Sequence, residues 1–305
     1  MNHWFDLSRH GVIALAGPDA AKLLQGLSTC DVRAVTPGRS IPGAFCQVNG
    51  RVSVLFRVFE RGGDLVLRLP ASLLPGTLER LRRVVFRARV EVTDASAELA
   101  GAGAAGPAAA GALARFVGAA PEAADGAVTA GAFTILRVPG EPPRFEIYAP
   151  PADLARLPGA LAAQGFAPGD DRLWTLHEIR AGLPEIEPAT VDAFLPQNLD
   201  LERLSGLSFS KGCYPGQEVV ARTQHLGEIK RRLVRARAMG SEAPAPATPL
   251  RAIDAGSERD GGKVVRAAPG PDGAIELLAV IPVAELASGA RLALGDAAGP
   301  TVTPA

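Results

Sequence analysis

The sequence predicts an α+β body followed by a small all-β domain of barrel type. Two observations carry the prediction. Between residues 12 and 180 short apolar strands and hairpin turns are followed by segments with helical spacing, in an order that does not alternate strand and helix one for one. From Lys230 onward the character changes: Arg231 to Met239 alternates charged and apolar residues, and further short strands at Gly262 to Arg266, Ala274 to Ile281 and Arg291 to Leu294 are separated by Gly and Pro turns. The expected division is a body over 1–229 and a barrel over 230–305, with a Pro/Ala spacer at 241–249.

Taken in order, Val12 to Ala16 reads as a strand, and Gly17-Pro18-Asp19 turns into a helix, Ala20 to Leu27, with Leu23, Leu24 and Leu27 on one face. Ala44 to Val48 and Arg51 to Glu60 form a hairpin across Asn49-Gly50, the dipeptide that suits a two-residue turn. Arg61-Gly62-Gly63-Asp64 turns the chain into a third strand, Leu65 to Leu69. A helix from Ser72 follows, with Leu74, Leu78, Leu81 and Val85 at helical spacing. Arg80, Arg82, Arg83 and Arg87 lie off that stripe as a solvated surface. Arg89 to Thr93 reads as a strand. Residues 100–112 (AGAGAAGPAAAGA) read as a low-complexity loop or flexible connector. Phe133 to Val138 and Arg144 to Tyr148 are strands, and Asp153 to Gly165 is a helix interrupted at Pro158-Gly159. Asp170-Asp171 opens a helix ended by Gly182-Leu183-Pro184, in which His177 reads as an ordinary surface histidine. Residues 184–209 are loop-rich and polar, the expected wall of a pocket.

Charge is balanced, with 32 basic and 32 acidic residues, so net charge implies no polyanionic partner. The three cysteines, Cys30, Cys46 and Cys213, form no CxxC pair and have no histidine at metal spacing, which argues against a zinc site and gives no local iron–sulfur site. Their small odd number suits a reducing compartment. No secretory leader and no membrane-spanning run is evident, and the expectation is a cytoplasmic protein.

The densest chemistry lies in Lys211-Gly212-Cys213-Tyr214-Pro215-Gly216-Gln217-Glu218. The Pro-Gly turn starts a short helix through Arg222. A cysteine just before a helix N-terminus and two residues from a lysine has two features that favour its thiolate, so Cys213 is the candidate functional thiol. The alternative for a single cysteine is a buried small apolar side chain.

This octapeptide resembles the signature of the YgfZ family of folate-binding proteins, which is related to the T-protein (aminomethyltransferase) of the glycine cleavage system. Further segments agree in order: Leu15 to Asp19 through Leu24-Gln25-Gly26, Thr29-Cys30-Asp31-Val32, Asn49-Gly50-Arg51, Ile179 to Pro184, and Pro196 to Asp200. The resemblance implies a T-protein-like body of interlocked α+β lobes before the barrel. It implies binding of tetrahydrofolate or a derivative, and support of iron–sulfur cluster assembly or repair in client enzymes, and thereby of tRNA modification. By the same carry-over Cys213 is the functional residue, and Lys211, Tyr214, Gln217, Glu218, Arg180 and Asn198 are candidate folate contacts.

Two departures bear on the chemistry. Where aminomethyltransferase relatives carry paired aspartates, the matching positions are near Val54 and Leu55, whose aliphatic side chains cannot accept a proton. Transferase catalysis is therefore not expected, although a folate-dependent aminomethyl- or methyltransferase stands as the alternative. Where many relatives carry a pterin-holding glutamate this chain has Arg180, which either removes that contact or moves it to Glu178 or Glu185. Direct binding of tRNA would rest on the arginines at 80–89 and on Arg231, Arg232, Arg235 and Arg237, without aromatic residues interleaved among them.

Overall fold

The computed structural model describes every residue of the chain apart from Leu226, Ala255 and Gly256 and the side chains of His225 and Asp272. The chain divides into two units, each assembled from separated segments. The first comprises Met1–Phe45, Val54–Asp171 and Leu204–Pro215, and the second Cys46–Ser53, Arg172–Arg203 and Gly216–Ala305.

The first unit holds two sheets. In chain order its strands are β1 (His3–Asp6), β2 (His10–Ala16), β3 (Ile41–Cys46), β4 (Val52–Arg61), β5 (Asp64–Pro70), β6 (Glu91–Asp94), β7 (Ala100–Ala105), β8 (Ala127–Ala130), β9 (Phe133–Val138), β10 (Arg144–Ala149) and β11 (Ala167–Pro168). One sheet has the order β3-β4-β5-β2-β6 and the other β11-β1-β7-β10-β9-β8. The period of two along each strand decides which layer each side chain enters. Ile13, Leu15, Val54, Phe56, Val58, Leu65, Leu67 and Leu69 face helices α1 (Ala20–Gln25) and α2 (Leu74–Val84), which contribute Leu24, Leu74 and Leu81. The alternate residues Val12, Phe59 and Val66 face the other way and pack with Leu136 and Tyr148 of the second sheet. The outer face of that second sheet is covered by α3 (Ala109–Val117), α4 (Pro151–Leu154) and α5 (Leu157–Ala162), through Leu113, Leu154, Leu157 and Leu161.

Polar pairs cross the layer between the sheets. The Arg68 guanidinium donates to Glu146 at 2.5 Å, and the Tyr148 hydroxyl donates to the same carboxylate at 2.9 Å. Arg57 donates to Ser40 and to Asp125 at 3.0 and 2.8 Å. Burial alone would raise the pKa of Glu146, but the charges of Arg68, His10 and Arg57 outweigh it and hold the carboxyl below the ordinary range.

The stretch 100–112, expected to be a flexible connector, is instead built into the centre of the first unit. Residues Ala100–Ala105 form β7, bonded to β1 on one side and β10 on the other, and α3 begins at Ala109. The small side chains are what the position demands. A Cβ on Gly101 would stand 3.1 Å from the Tyr148 ring, and Ala104, Ala109 and Ala112 are fully buried where helix meets sheet. Close packing overrode weak strand propensity.

The second unit contains α6 (Asp171–Arg180), a loop segment with 3-10 turns at Pro188–Thr190 and Pro196–Leu199, α7 (Gln217–His225), and a closed barrel. The barrel strands are β12 (Arg231–Met239), β13 (Pro249–Asp254), β14 (Ser257–Pro269), β15 (Ala274–Pro282), β16 (Arg291–Leu294) and β17 (Thr301–Pro304), in the order β12-β15-β14-β13-β16-β17, with α8 (Val283–Ser288) after β15. Its interior is filled by small and branched side chains, among them Ala236, Leu250, Val264, Leu277, Ala279, Ile281 and Val302. Helix α6 buries Trp174, Leu176, His177, Glu178 and Ile179. His177, expected on a helix surface, is thus a buried residue, because α6 is covered on more than its apolar stripe. No described helix is long and apolar enough to cross a membrane.

Candidate functional site

The signature loop is held in the first unit by a set of hydrogen bonds that span about three-fifths of the chain. The Thr29 hydroxyl donates to the Gly206 carbonyl at 2.6 Å, and the Ser208 amide donates to the Thr29 carbonyl at 3.0 Å. Three residues on, Lys211 turns its ammonium inward, where it donates to the carbonyls of Gln25 and Ser28 at 2.6 and 2.5 Å and stands 5.2 Å from the centre of the Tyr214 ring. Gln25 itself is the last residue of α1, so the cation meets a helix C-terminus where free carbonyls collect. Only 6% of Lys211 is exposed. That burial pushes its pKa below the ordinary lysine range, against the opposing pull of Cys30 and Asp31.

Beside this anchor lies Cys30, whose buried Sγ donates to the Ser28 hydroxyl oxygen at 3.5 Å and whose pKa is raised by burial. The space around it admits nothing larger than glycine at position 43: a Cβ there would come within 2.6 Å of the sulfur and 2.8 Å of the Phe56 ring. Cys46 is buried as well. Cys213 is exposed, so the motif presents its thiol to solvent while its lysine and its tyrosine are buried.

In the second unit the continuation of the motif makes the turn into α7. Gly216 has φ +81°, and a Cβ there would meet the Gln47 carbonyl oxygen at 2.3 Å. The Asn49-Gly50 turn that receives it is closed by the Gln47 amide on the Arg51 carbonyl, 2.9 Å, and the Gly50 amide on the Gln47 carbonyl, 2.9 Å. Gln217 begins the helix and is half-buried, and Glu218 is exposed in an i,i+4 pair with Arg222 at 2.9 Å. Helix α7 is tied to the loop segment by the buried Gln197, whose amide nitrogen donates to the Val220 carbonyl at 2.6 Å.

The remaining candidates in this unit are committed to different partners. Arg180 grips Glu276 with two nitrogens, at 3.0 and 2.6 Å, and its own carbonyl accepts from Arg235 at 2.9 Å. The side-chain bond to Glu276 raises its pKa. It lines a cleft of about 390 Å³ with Asp200, Arg203 and Leu278. Glu178 and Glu185 converge on the buried Arg266, at 2.7 and 3.2 Å. Asn198 accepts from the Leu195 amide at 3.0 Å, donates to the Arg231 carbonyl at 3.0 Å, and lines a larger cleft of about 690 Å³ together with Arg51, Leu195, Ile229, Lys230 and Lys263.

Sequence reasoning named Lys211, Tyr214 and Cys213, which share one loop, and Arg180 and Asn198, which line different clefts. It missed that Lys211 would be committed to the backbone of residues 25–28, and it missed Arg266 as the shared partner of two glutamates. Both partnerships span more than eighty residues and leave no local signal.

No protein-family model matches the chain. It is 33% identical over 228 residues to the tRNA-modifying protein YgfZ of Colwellia psychrerythraea, covering 75% of this chain and 69% of that relative. It is 31% identical over 270 residues to the protein of the same name from Yersinia pestis, covering 88% and 81%. Among solved structures, the glycine cleavage system aminomethyltransferase T from Bartonella henselae matches with a TM-score of 0.80, over 99% of this chain and 84% of that one. At 17% identity that likeness is one of fold, and it bears out the T-protein-like architecture. The extent and level of identity to these relatives mean that the chain belongs to the YgfZ family.

Proposed function

We propose that this chain is a cytoplasmic folate-binding protein that sustains iron–sulfur enzymes and, through them, tRNA modification, with Cys213 as its functional thiol. The relatives are named tRNA-modifying proteins, which supports the modification role. The observation that carries the reading is the division of labour within the motif. Lys211 is spent on anchoring the loop, and of the three thiols Cys213 alone faces solvent, where a client or a bound ligand can reach it.

The donor set suits tetrahydrofolate. A pterin offers an amino group and a ring N–H side by side, which a carboxylate accepts together. Arg180, being a cation already bidentate on Glu276, is a poor acceptor for those groups. Glu178 and Glu185, buried and paired with Arg266, are acceptors of the required kind and would hold the ring. Tyr214, Gln217, Glu218 and Asn198 stay in the proposal as further contacts. When bound, tetrahydrofolate supplies a carrier for one-carbon units. The chain itself supplies the exposed thiol of Cys213 and, in its second unit, the buried carboxylates of Glu178 and Glu185.

Calorimetric titration of tetrahydrofolate into wild type, Glu185→Ala and Cys213→Ala tests the folate half, and activity of an iron–sulfur enzyme in cells carrying Cys213→Ala tests the thiol half. Binding is expected in wild type and Cys213→Ala and weakened in Glu185→Ala, with client activity lost in Cys213→Ala. No binding by wild type would refute the folate reading, and full client activity without the thiol would refute the role of Cys213. Formation of methylene-tetrahydrofolate from a glycine derivative would instead favour the aminomethyltransferase alternative.

A further inference from the structure

The cleft of about 690 Å³ in the second unit has a charge pattern that the folate reading does not use. Its wall carries five basic residues, Arg51, Arg222, Lys230, Arg231 and Lys263, against two acidic ones, Glu228 and Asp260. Two of the cations are neutralised locally: Arg231 by Asp260 at 2.6 Å, and Arg222 by Glu218 at 2.9 Å. Lys230 and Lys263 make no side-chain hydrogen bond or ion pair within 4 Å among the described residues, although the charge of Lys263 is felt by Asp260. Arg51 is oriented by one guanidinium nitrogen on the carbonyls of Asp192 and Ala193, at 3.4 and 2.6 Å, which leaves its other N–H groups for a ligand. The C-terminal end of α7 lies at the same cleft, through Arg222 and Thr223, and its carbonyls carry a partial negative charge of about one half. Lys230, Lys263 and Arg51 together outweigh this helix end and the remaining wall carboxylate, Glu228, so the cleft keeps a net positive charge that favours an anion.

Size and lining narrow the class of anion. A cavity of this volume takes a ligand of mononucleotide size rather than a bare oxyanion. Besides its cations it offers apolar surface from Leu195 and Ile229 over a buried Phe194, and the Thr223 hydroxyl as a hydrogen-bonding group. We propose that this cleft binds a nucleoside phosphate, with Lys230, Lys263 and Arg51 on the phosphate and the Leu195–Ile229 wall against the base. The source is either a free nucleotide or an unpaired nucleotide of an RNA, since the two share this chemistry. The site goes beyond the folate reading and stands without it.

The test is a binding titration of adenosine 5′-monophosphate, of adenosine, and of a short single-stranded oligoadenylate. The proteins are wild type, Lys230→Glu/Lys263→Glu, and Lys22→Glu/Arg83→Glu as an equal charge change on exposed residues outside the cleft. At least one phosphate-bearing probe is expected to bind wild type, more than tenfold tighter than adenosine. That binding should fall more than tenfold in the cleft variant and less than threefold in the control. Binding of the monophosphate alone identifies a free nucleotide as the source. Binding of the oligonucleotide, with log affinity falling against log salt at a slope of roughly −1 to −2, identifies RNA. Absence of binding by both probes overturns the proposal, as does adenosine binding as well as its phosphate or equal losses in the two variants. Because no folate is present, failure here leaves the folate titration untouched.

Discussion

Replacing Lys211 by methionine separates an anchor from a ligand contact. The substitution keeps the length of the side chain and removes the ammonium that bridges the Gln25 and Ser28 carbonyls at 2.6 and 2.5 Å. Hydrogen bonds from a charged donor contribute about 1.5–3 kcal/mol each, so the two gross to roughly 3–6 kcal/mol. The buried ammonium has also been desolvated, which costs several kcal/mol and is relieved in the variant. The expected net loss is about 2 kcal/mol, a fall in Tm of roughly 4–8 °C for a unit of this size. The pH dependence carries a sign. Because the folded pKa of Lys211 is lowered, the unfolded chain binds the extra proton in the window between the folded value and about 10.4, and wild-type stability rises with pH there. The gap between wild type and Lys211→Met should therefore widen as pH climbs from neutral toward 10. Thermal and urea unfolding monitored by tryptophan fluorescence, with tetrahydrofolate titrated in parallel, reads both quantities. A variant as stable as wild type that has lost folate affinity would refute the anchoring argument and return Lys211 to the ligand.

Three further outcomes follow from the geometry. Glu146→Leu strands the Arg68 guanidinium between the sheets and should cost about 3–5 kcal/mol, whereas the double variant Arg68→Met/Glu146→Leu should recover most of it; additive losses in a double-mutant cycle would disprove the coupling. The same carboxylate, with its lowered pKa, contributes stability that is present above pH ~4.3 and lost as pH falls through the folded value, so the gap between wild type and the double variant should shrink in acid. With a chromogenic disulfide reagent the native protein should show one fast thiol, absent in Cys213→Ser, and three in denaturant; a fast second thiol in native protein would contradict the burial of Cys30 and Cys46. Gly216→Ala combines a left-handed backbone with a 2.3 Å approach to Gln47, and should destabilise the turn by more than about 1 kcal/mol, measured by denaturant midpoint.

The elements legible in the sequence were those whose cause is local. The Asn49-Gly50 turn, the diglycine at 62–63 and the leucine stripe of α2 each declare themselves within a few residues. Residues 100–112 were illegible because strand propensity is judged from side chains, and β7 is selected for having almost none: its place between β1 and β10, under Tyr148, is a property of the neighbours. His177 failed for a related reason. A helix that buries Glu178 on an arginine 88 positions away shows no clean amphipathic stripe. At the site, the identity of the exposed thiol was readable from the motif, while the orientation of Lys211 depended on carbonyls nearly two hundred residues earlier.

That separation has a consequence for synthesis. The cradle that receives Lys211, at residues 25–28, is made early, yet its cation is among the last pieces of the first unit to be made. At about 5–20 residues per second, the ribosome takes roughly 10–40 s to bring one to the other. Throughout that interval the Gln25 and Ser28 carbonyls lack the cation that caps them, so the signature loop acts as a late fastener, and a truncated product ending before Leu204 lacks the segment that completes its own first unit.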